Sequence, residues 1–151
     1  MAEILKDTIG DNLLLGNDFS NENHGTNFGE VKINDLMGKI AIIVDKTNTK
    51  YQHTALDEYV NMASNSLFMR SIRNYQVANE DQTELKKFNE TNMTMTMPDV
   101  TSTASNITPS VAMRTGCQMI GMCYQTYDTN MKDYEAFFEK DGHAFVLVSS
   151  F

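Results

Sequence analysis

Hydrophobic positions change their spacing along the first third of the chain. Apolar residues recur every third or fourth position over residues 2–15, which predicts an amphipathic helix that ends at Gly16. Residues 17–30 are rich in Asn and Gly and predict a loop. The β-branched run at residues 40–44 does not alternate, and such runs are typical of strands buried on both faces of a parallel sheet.

The middle of the chain predicts a second helix, a strand and a short third helix. Thr54-x-x-Asp57 resembles a capping box, and a helical apolar face follows it, formed by Leu56, Tyr59, Val60 and Ala63. Residues 67–77 predict a strand that two arginines interrupt. Leu85 marks the apolar side of the short helix behind it.

The last third of the chain predicts three strands and one helix. Met and Thr alternate strictly over residues 93–97, which is typical of a strand, and Pro98 ends it. A Ser/Thr-rich loop over residues 99–115 leads to a strand at 117–124. The remaining elements are a helix with Met131, Tyr134 and Phe138 on one face and a strand at 144–148. Strands that alternate with helices predict an α/β fold with parallel strands.

The chain is acidic, with 12 basic and 20 acidic residues and a net charge of −8. This charge argues against a nucleic-acid partner and makes contact with an anionic membrane indirect at most. Two cysteines, Cys117 and Cys123, predict reduced and packed thiols in an intracellular protein. The richness in Asn, Thr and 11 Met suits an AT-rich genome, such as that of a protist or a large DNA virus, so a virus particle is the alternative location.

Residues 92–147 contain a more specific series of motifs. They are Pro98, Ser105-Asn106-x-x-Pro109, Gly116-Cys117-Gln118 and Gln125-Thr126-x-Asp128. In order and spacing the series resembles the Y half of the catalytic barrel of phosphoinositide-specific phospholipase C. Upstream, residues 36–43 resemble the last strand of the X half of that barrel, and residues 2–14 fit the helix before it.

The resemblance implies a partial, or half, TIM-like barrel. A complete eight-stranded barrel typically needs about 250 residues, and the chain has 151. Three parts are expected: the end of an X-like half with helix, loop and strand 5 (1–46), a connecting βα region (47–91), and a Y-like half with strands 7 and 8 and a closing segment (92–151).

The resemblance also implies that this chain contains no catalytic residue and no metal ligand. The family uses two histidines and a Ca²⁺ ion held by Asn, Asp and Glu, all from the first four strands of the X half. The resemblance does not extend to those strands, so no cofactor is expected here, and Ca²⁺ only in a complete barrel. His24, His53 and His143 lie outside that catalytic context and predict surface side chains.

Substrate binding in the family involves an Arg-x-Tyr directly before the proline. The matching residues here are Met95 and Met97, and a thioether cannot replace a guanidinium group on phosphate. Lysines of the family near the end of strand 5 correspond to Ile43 and Asp45, with Lys46 as the nearest substitute. The closing Lys-Pro is replaced by residues 148–149.

Loops after the carboxyl ends of barrel strands form the functional face of such a fold. Lys46, Asp99 and Gln125 are therefore weak candidates for substrate binding, together with Asp45 and Asp128 on the same rim. The rim could hold a small polar or sugar-like ligand, or it could be a solvated surface without a ligand. The methionines of residues 93–97 are expected to fill the barrel interior.

Three functions stay open at this point. The chain could be the C-terminal half of a phosphatidylinositol-specific phospholipase C-like phosphodiesterase, inactive on its own. It could be a catalytically dead phospholipase C-like module with a structural or interaction role, for example in the particle of a large DNA virus. It could also be a stand-alone ligand-binding α/β domain. A half barrel has open strand edges, here at residues 40–44 and 117–124, so the expected partner along them is the missing N-terminal half or another protein.

Overall fold

The computed structural model describes residues 1–10, 14, 28–45, 47–64, 66–100 and 104–147. The chain divides into two compact units, Met1–Arg70 and Ser71–Phe151. Parallel strands in two sheets alternate with helices, as expected for a partial TIM-like barrel. None of the helices in the described parts of the chain is long and apolar enough to cross a membrane.

The first unit begins with helix α1, Ala2–Ile9. The helix was predicted to extend over residues 2–15, and it ends earlier because Gly10 adopts a φ of +85°. The Gly10 amide donates to the Lys6 carbonyl at 3.0 Å and closes the last turn. None of the residues of α1 is buried. The predicted stop at Gly16 lies outside the described residues.

Two parallel strands form the sheet of the first unit. Strand β1, Ile42–Val44, pairs with strand β2, Val60–Ala63. The position of β1 confirms the predicted strand, but burial on both of its faces is wrong, because Ile43 is 37% exposed. All four residues of β2 are buried, so β2 is the core strand of this unit. Leu14 adds one parallel bridge, to Ile40.

The prediction of a helix after Thr54 is wrong. Only a short 3₁₀ turn forms, Asp57–Tyr59, and the chain then continues as β2. Asp57 does not close a capping box, since its carboxylate accepts from the backbone amide of His53 at 2.8 Å. Extended backbone from Val60 onward is favoured because pairing with β1 supplies its hydrogen bonds and buries its β-branched side chain.

A second sheet contains strands β3 (Met69–Arg73), β4 (Met93–Met97) and β5 (Met119–Ile120), with β4 in the middle. β4 has the predicted bounds, and β3 and β5 lie inside the predicted strands. β4 and β5 are parallel, with Met95 opposite Met119. These strands confirm the parallel α/β class that the alternating pattern predicted.

Helices of the second unit are α2 (Asn74–Asn79), α3 (Gln82–Asn89), α4 (Ser110–Arg114) and α5 (Thr129–Asp141). The predictions of α3 and α5 are confirmed, and α3 begins at Asp81, whose side chain accepts from the amides of the first turn.

Three predictions for this unit are wrong. The strand over residues 67–77 ends at α2, because the Gln76 side chain accepts from the Arg73 amide at 2.7 Å and starts a helix there. The loop over 99–115 contains α4. Residues 144–147 form no strand, and Phe145 and Leu147 are 70% and 76% exposed.

The two faces of β4 have different surroundings. Thr94 and Thr96 are fully buried on the side of the helices, where the core of this unit consists of Ile72, Val77, Leu85, Ala112 and Cys117. The methionines of β4 lie on the opposite face and are half-buried. The expectation that they fill a closed interior is therefore not met within the described residues.

A glycine allows the segment after β5 to approach β4. The Gly121 amide donates to the Thr96 carbonyl at 2.9 Å. A Cβ atom at Gly121 would lie 2.7 Å from that carbonyl oxygen and 3.3 Å from a ring carbon of Pro98. Neither atom belongs to a flexible side chain that could move away, so the β4–β5 contact requires glycine at this position.

We therefore expect Gly121→Ala to lower the free energy of unfolding by about 1–3 kcal/mol, because the methyl group forces the two backbones apart. Gly142→Ala is the matched control: Gly142 has open space around its Cβ position and a φ of +65°, so the cost is about 1 kcal/mol of backbone strain. Urea denaturation of both variants measures the difference. A cost for Gly121→Ala no larger than for the control would contradict the close approach.

Candidate functional site

Asn106 connects the loop before α4 to the segment after β5. Its side-chain oxygen accepts from the Cys123 amide at 2.6 Å, and its side-chain nitrogen donates to the Thr126 carbonyl at 3.0 Å. The backbone amide of Asn106 donates to the Asp128 carboxylate at 2.9 Å. Asn106 is 8% exposed, so these bonds are shielded from water. One amide side chain thus holds two chain segments together.

Asp128 is the second member of this network. Its carboxylate caps α5 by accepting from the Met131 amide at 3.0 Å, and it also accepts from the Asn106 side chain at 3.2 Å. The hydrogen bond from the Asn106 backbone, followed by the one from Met131, lowers the pKa of Asp128 from its ordinary value of 3.8. The Ser-Asn-x-x-Pro and Gln-Thr-x-Asp motifs therefore meet in space and perform a structural role.

Gly116 and Cys117 end helix α4. Gly116 has a φ of +76°, its amide donates to the Met113 carbonyl, and the Cys117 amide donates to the Ala112 carbonyl, both at 3.0 Å. This pair of bonds is a Schellman motif, which needs a left-handed residue and hence favours glycine. The motif turns the chain from α4 into β5.

Gln118 binds the turn between α3 and β4 through its side chain. The side-chain oxygen accepts from the Thr94 amide at 2.8 Å. The side-chain nitrogen donates to the carbonyls of Asn89 and Asn92 at 3.0 and 2.9 Å. Gln118 thus provides hydrogen bonds to three backbone groups where the chain passes from α3 into β4.

Cys117 and Cys123 form no disulfide and are both buried, as predicted. The Cys117 sulfur lies 3.6 Å from the Thr115 hydroxyl and 3.8 Å from the side-chain nitrogen of Asn89. Cys123 is 9% exposed. Their chemical inertness stays a prediction.

Asp99 lies directly beyond the carboxyl end of β4. Its carboxylate accepts from the Tyr75 amide at 3.1 Å, at the start of α2. It borders a cavity of about 330 Å³ with largely apolar walls and a few polar groups, among them Asn74, Asn79 and Thr108. The structure therefore places one candidate residue at a cavity whose size suits a small ligand.

Among the described residues, Asp99 is the rim candidate that lines this cavity. Gln125 is exposed, has no hydrogen-bond partner in the described part of the chain, and does not line the cavity. Lys46 lies outside the described residues. Asp45 belongs to the first unit, where the amide and hydroxyl of Thr47 each donate to it at 2.8 Å. Those bonds lower the pKa of Asp45 from 3.8. A rim shared by these residues stays a prediction.

Arg73 is a further candidate residue for this end of the sheet, which the sequence pattern did not single out. It stands at the carboxyl end of β3, half-buried, and its guanidinium group donates to the Pro98 carbonyl at 2.6 Å. Two residues earlier, the Ser71 hydroxyl lies 3.5 Å from the sulfur of Met97. In the sequence Arg73 only interrupts a strand pattern, and nothing local shows that it will lie beside Pro98.

The sequence pattern of the phosphatidylinositol-specific phospholipase C Y domain matches residues 37–151. The chain belongs to this family. The match contains all the motifs whose hydrogen bonds are described above, which confirms the resemblance inferred from the sequence. No curated protein matches the chain significantly.

In this Y domain, two histidines that could act as an acid or a base lie at exposed positions, and one motif carboxylate is used in folding. His53 and His143 are exposed. In the described ranges, no three His, Cys, Asp or Glu side chains are grouped so that they could hold a metal ion. Asp128 is committed to Asn106 and α5. What the arrangement offers is a rigid carboxyl end of β4 with Asp99 and Arg73 beside it.

Substituting the two glutamines of the motifs tests the role of Gln118. We expect Gln118→Ala to lower the free energy of unfolding by about 1–3 kcal/mol, because it leaves the buried Thr94 amide without its acceptor. Gln125→Ala, at an exposed position, should change it by less than about 0.5 kcal/mol. Chemical denaturation measures both, and equal effects would contradict the structural role of Gln118.

The lowered pKa of Asp128 predicts an acid-dependent loss of stability. The stabilisation is complete above the unfolded-state pKa near 3.8 and is lost as the pH falls through the lower folded-state value. Asp128→Asn should therefore be less stable at pH 7 and should lose less stability than the unmodified chain below about pH 4. Urea denaturation between pH 2 and 7 measures this.

The control for this experiment is Asp133→Asn, at an exposed position on the same helix. If Asp128→Asn and Asp133→Asn give the same pH profile as the unmodified chain, the carboxylate of Asp128 does not stabilise the fold through the network with Asn106.

Proposed function

We propose that this chain is the C-terminal half of a phosphatidylinositol-specific phospholipase C-like phosphodiesterase barrel and that it hydrolyses nothing without the other half. Membership of the Y-domain family supports a phospholipase C-like domain. The observation that carries the finer proposal is the one-sided sheet of the second unit: Thr94 and Thr96 are fully buried, whereas the methionine face of β4 is only half-buried.

A one-sided sheet fits a barrel whose remaining strands come from elsewhere. In a complete barrel the inner faces of all strands pack against each other, while the outer faces pack on helices. Ile120 of β5 packs toward the core together with its pair partner Thr96, which places Met95 and Met119 on the inner side. This methionine face needs further side chains opposite it, and a second barrel half would supply them.

The sheets themselves also favour a missing half. In the part of the chain that the structure describes, the first sheet has two strands, and β5 contains two residues and pairs with β4. Two-stranded sheets are marginally stable in water without further strands or helices against them. We propose that the N-terminal barrel half, or another protein in its place, lies along the edges at residues 40–44 and 117–124. Within the described residues, a bridge from Leu14 covers the first of these edges at Ile40.

The residues at the carboxyl ends of the strands support a role in binding rather than in acid–base chemistry. Asp99 borders the 330 Å³ cavity, and Arg73 supplies a cation next to Pro98. A substrate contacting this end would meet these groups, while the catalytic histidines and the Ca²⁺ ligands would come from the other half. Lys46 and Gln125 remain proposed contributors to the same rim.

The second candidate function is a catalytically dead module that keeps the fold for a structural or interaction role. Met95 and Met97 favour it, because they occupy the positions of the arginine and tyrosine that hold inositol phosphate in the family. A thioether provides neither charge nor a strong hydrogen bond for phosphate. An intracellular or virion location stays a prediction of the composition.

We expect the purified chain to release no inositol phosphate from phosphatidylinositol vesicles in the presence of Ca²⁺, because it lacks the acid, the base and the metal ligands at their family positions. Release of soluble phosphate ester from labelled vesicles, with and without EDTA, measures this. Hydrolysis by the chain alone that EDTA abolishes would contradict the proposal.

Addition of a separately expressed X half of an active family member distinguishes the two candidates. Hydrolysis on mixing with the unmodified chain supports an enzyme half that binds its substrate through other groups. Hydrolysis only with the Met95→Arg/Met97→Tyr variant supports the catalytically dead module. Absence of complex formation with either chain, by size-exclusion chromatography, would contradict the partner along the strand edges.

A further inference from the structure

A groove of about 830 Å³ lies on the helices of the second unit. Its described lining comes from α2, α3, α4 and their ends, and not from the strands. It adjoins the cavity beside Asp99, because Ala78 and Val111 line both, but its charged residues do not line that cavity. The apolar part of its lining, called its floor below, consists of Ala78 of α2, which is exposed, and Val111 of α4, which is half-buried and packs on the core beneath.

Three cations border this groove: Lys86 and Lys87 from α3 and Arg114 from α4. All three are exposed, and neither lysine has an ion-pair partner within the described residues. Arg114 makes a long hydrogen bond of 3.4 Å to Ser110. Glu90 is the one carboxylate in the lining. A local excess of positive charge thus occurs on a chain whose net charge is −8.

The position of the three cations within their helices accounts in part for why they occur there, even where no ligand binds. All three lie in the last turns of their helices, where positive charge interacts favourably with the helix dipole. That interaction does not require two helices to point their cations into one groove, nor does it require an apolar floor between them. The combination of charged walls and apolar floor is the feature that a helix terminus does not account for.

We propose that this groove binds an acidic amphipathic helix of a partner protein. Glutamates or aspartates of such a helix would meet Lys86, Lys87 and Arg114, and its apolar side chains would contact Ala78 and Val111. Helix α3 has eight residues and a length of about 12 Å, which matches two to three turns of a bound helix.

Other anions fit the groove less well. A small phosphate ester would use the cations but leave the apolar floor empty. An anionic membrane surface would attract the three cations but would repel the rest of this chain, whose net charge is −8. The affinity should come mainly from the apolar contacts, and the cations should increase the association rate and make binding sensitive to salt.

The experiment measures binding of the full chain to a fluorescein-labelled synthetic helix with leucines at i, i+3, i+4 and i+7 and glutamates elsewhere. We expect saturable binding that weakens several-fold between about 50 and 300 mM NaCl, as expected for exposed charge pairs. Lys86→Glu/Lys87→Glu should weaken binding about tenfold or more, because like charges then face each other. Ala78→Gln should weaken it without any change of charge, because the longer side chain fills the floor.

Lys140→Glu is the matched control, since Lys140 is an exposed lysine in the last turn of α5. It reverses the charge of one lysine, where the groove variant reverses two, at a helix terminus outside the groove, and it should leave binding unchanged. Circular dichroism checks that all variants keep their helix content. A peptide with lysines in place of the glutamates should not bind.

Three results would overturn the proposal. They are absence of binding by the acidic peptide, equal weakening by Lys140→Glu and Lys86→Glu/Lys87→Glu, and insensitivity to Ala78→Gln. Tight binding of the chain to phosphatidylcholine vesicles containing phosphatidylserine, lost in Lys86→Glu/Lys87→Glu, together with no peptide binding, would instead assign the groove to a membrane surface.

Discussion

Backbone groups between strands and helices need hydrogen-bond partners, and in the second unit two side-chain amides bind several of them, including the buried Thr94 amide. Asn106 satisfies the Cys123 amide and the Thr126 carbonyl, and Gln118 satisfies the Thr94 amide and two carbonyls of the turn before β4. An amide side chain offers both a donor and an acceptor, so one residue can serve backbone groups of both kinds. Gln118 therefore fixes the chain where it enters β4, and Asn106 fixes it shortly after it leaves β5.

The two amide side chains act at opposite ends of the short strand β5. β5 contains only two residues, and hydrogen bonding with β4 alone gives it little stabilisation. Gln118 precedes β5 and binds the turn that leads into β4, while Asn106 binds Cys123 shortly after β5. Gly121 completes the arrangement by allowing close approach to the Thr96 carbonyl. A short strand is thus fixed from both of its ends by side chains, and not by a long ladder.

Local patterns predicted those elements whose pattern and environment agree. Strict alternation gave the right bounds for β4, and the apolar face of α5 agreed with its cap at Asp128. The prediction failed where tertiary pairing competes with a helical pattern. Val60 and Ala63 have helical spacing to Leu56, but pairing with β1 makes them a strand. The end of the strand predicted over residues 67–77 fails for a similar reason. The Gln76 side chain accepts from the Arg73 amide, and α2 forms there instead.

The site was less predictable than the fold, because its contacts join residues far apart in the chain. The motifs identified the family from the sequence, but the sequence did not show that Asn106 binds Asp128 across 22 positions or that Arg73 lies beside Pro98. Asp99 was correctly placed after a strand, since the end of an alternating pattern marks where a strand stops. Its cavity could not be predicted, because its walls come from α2, α4 and the residues after β5.

The roles of the motif residues separate the fold of this Y domain from its chemistry. Asn106, Gly116, Gln118 and Asp128 are all engaged in hydrogen bonds or backbone geometry that the fold requires. Selection for folding alone would retain them, whether or not the barrel cleaves a substrate. Met95 and Met97, which match the Arg-x-Tyr positions of the family, lie on the half-buried face of β4 and have no comparable hydrogen-bonding duty to the backbone. Because the family motifs are explained by folding contacts, they identify the architecture of this chain more firmly than its activity.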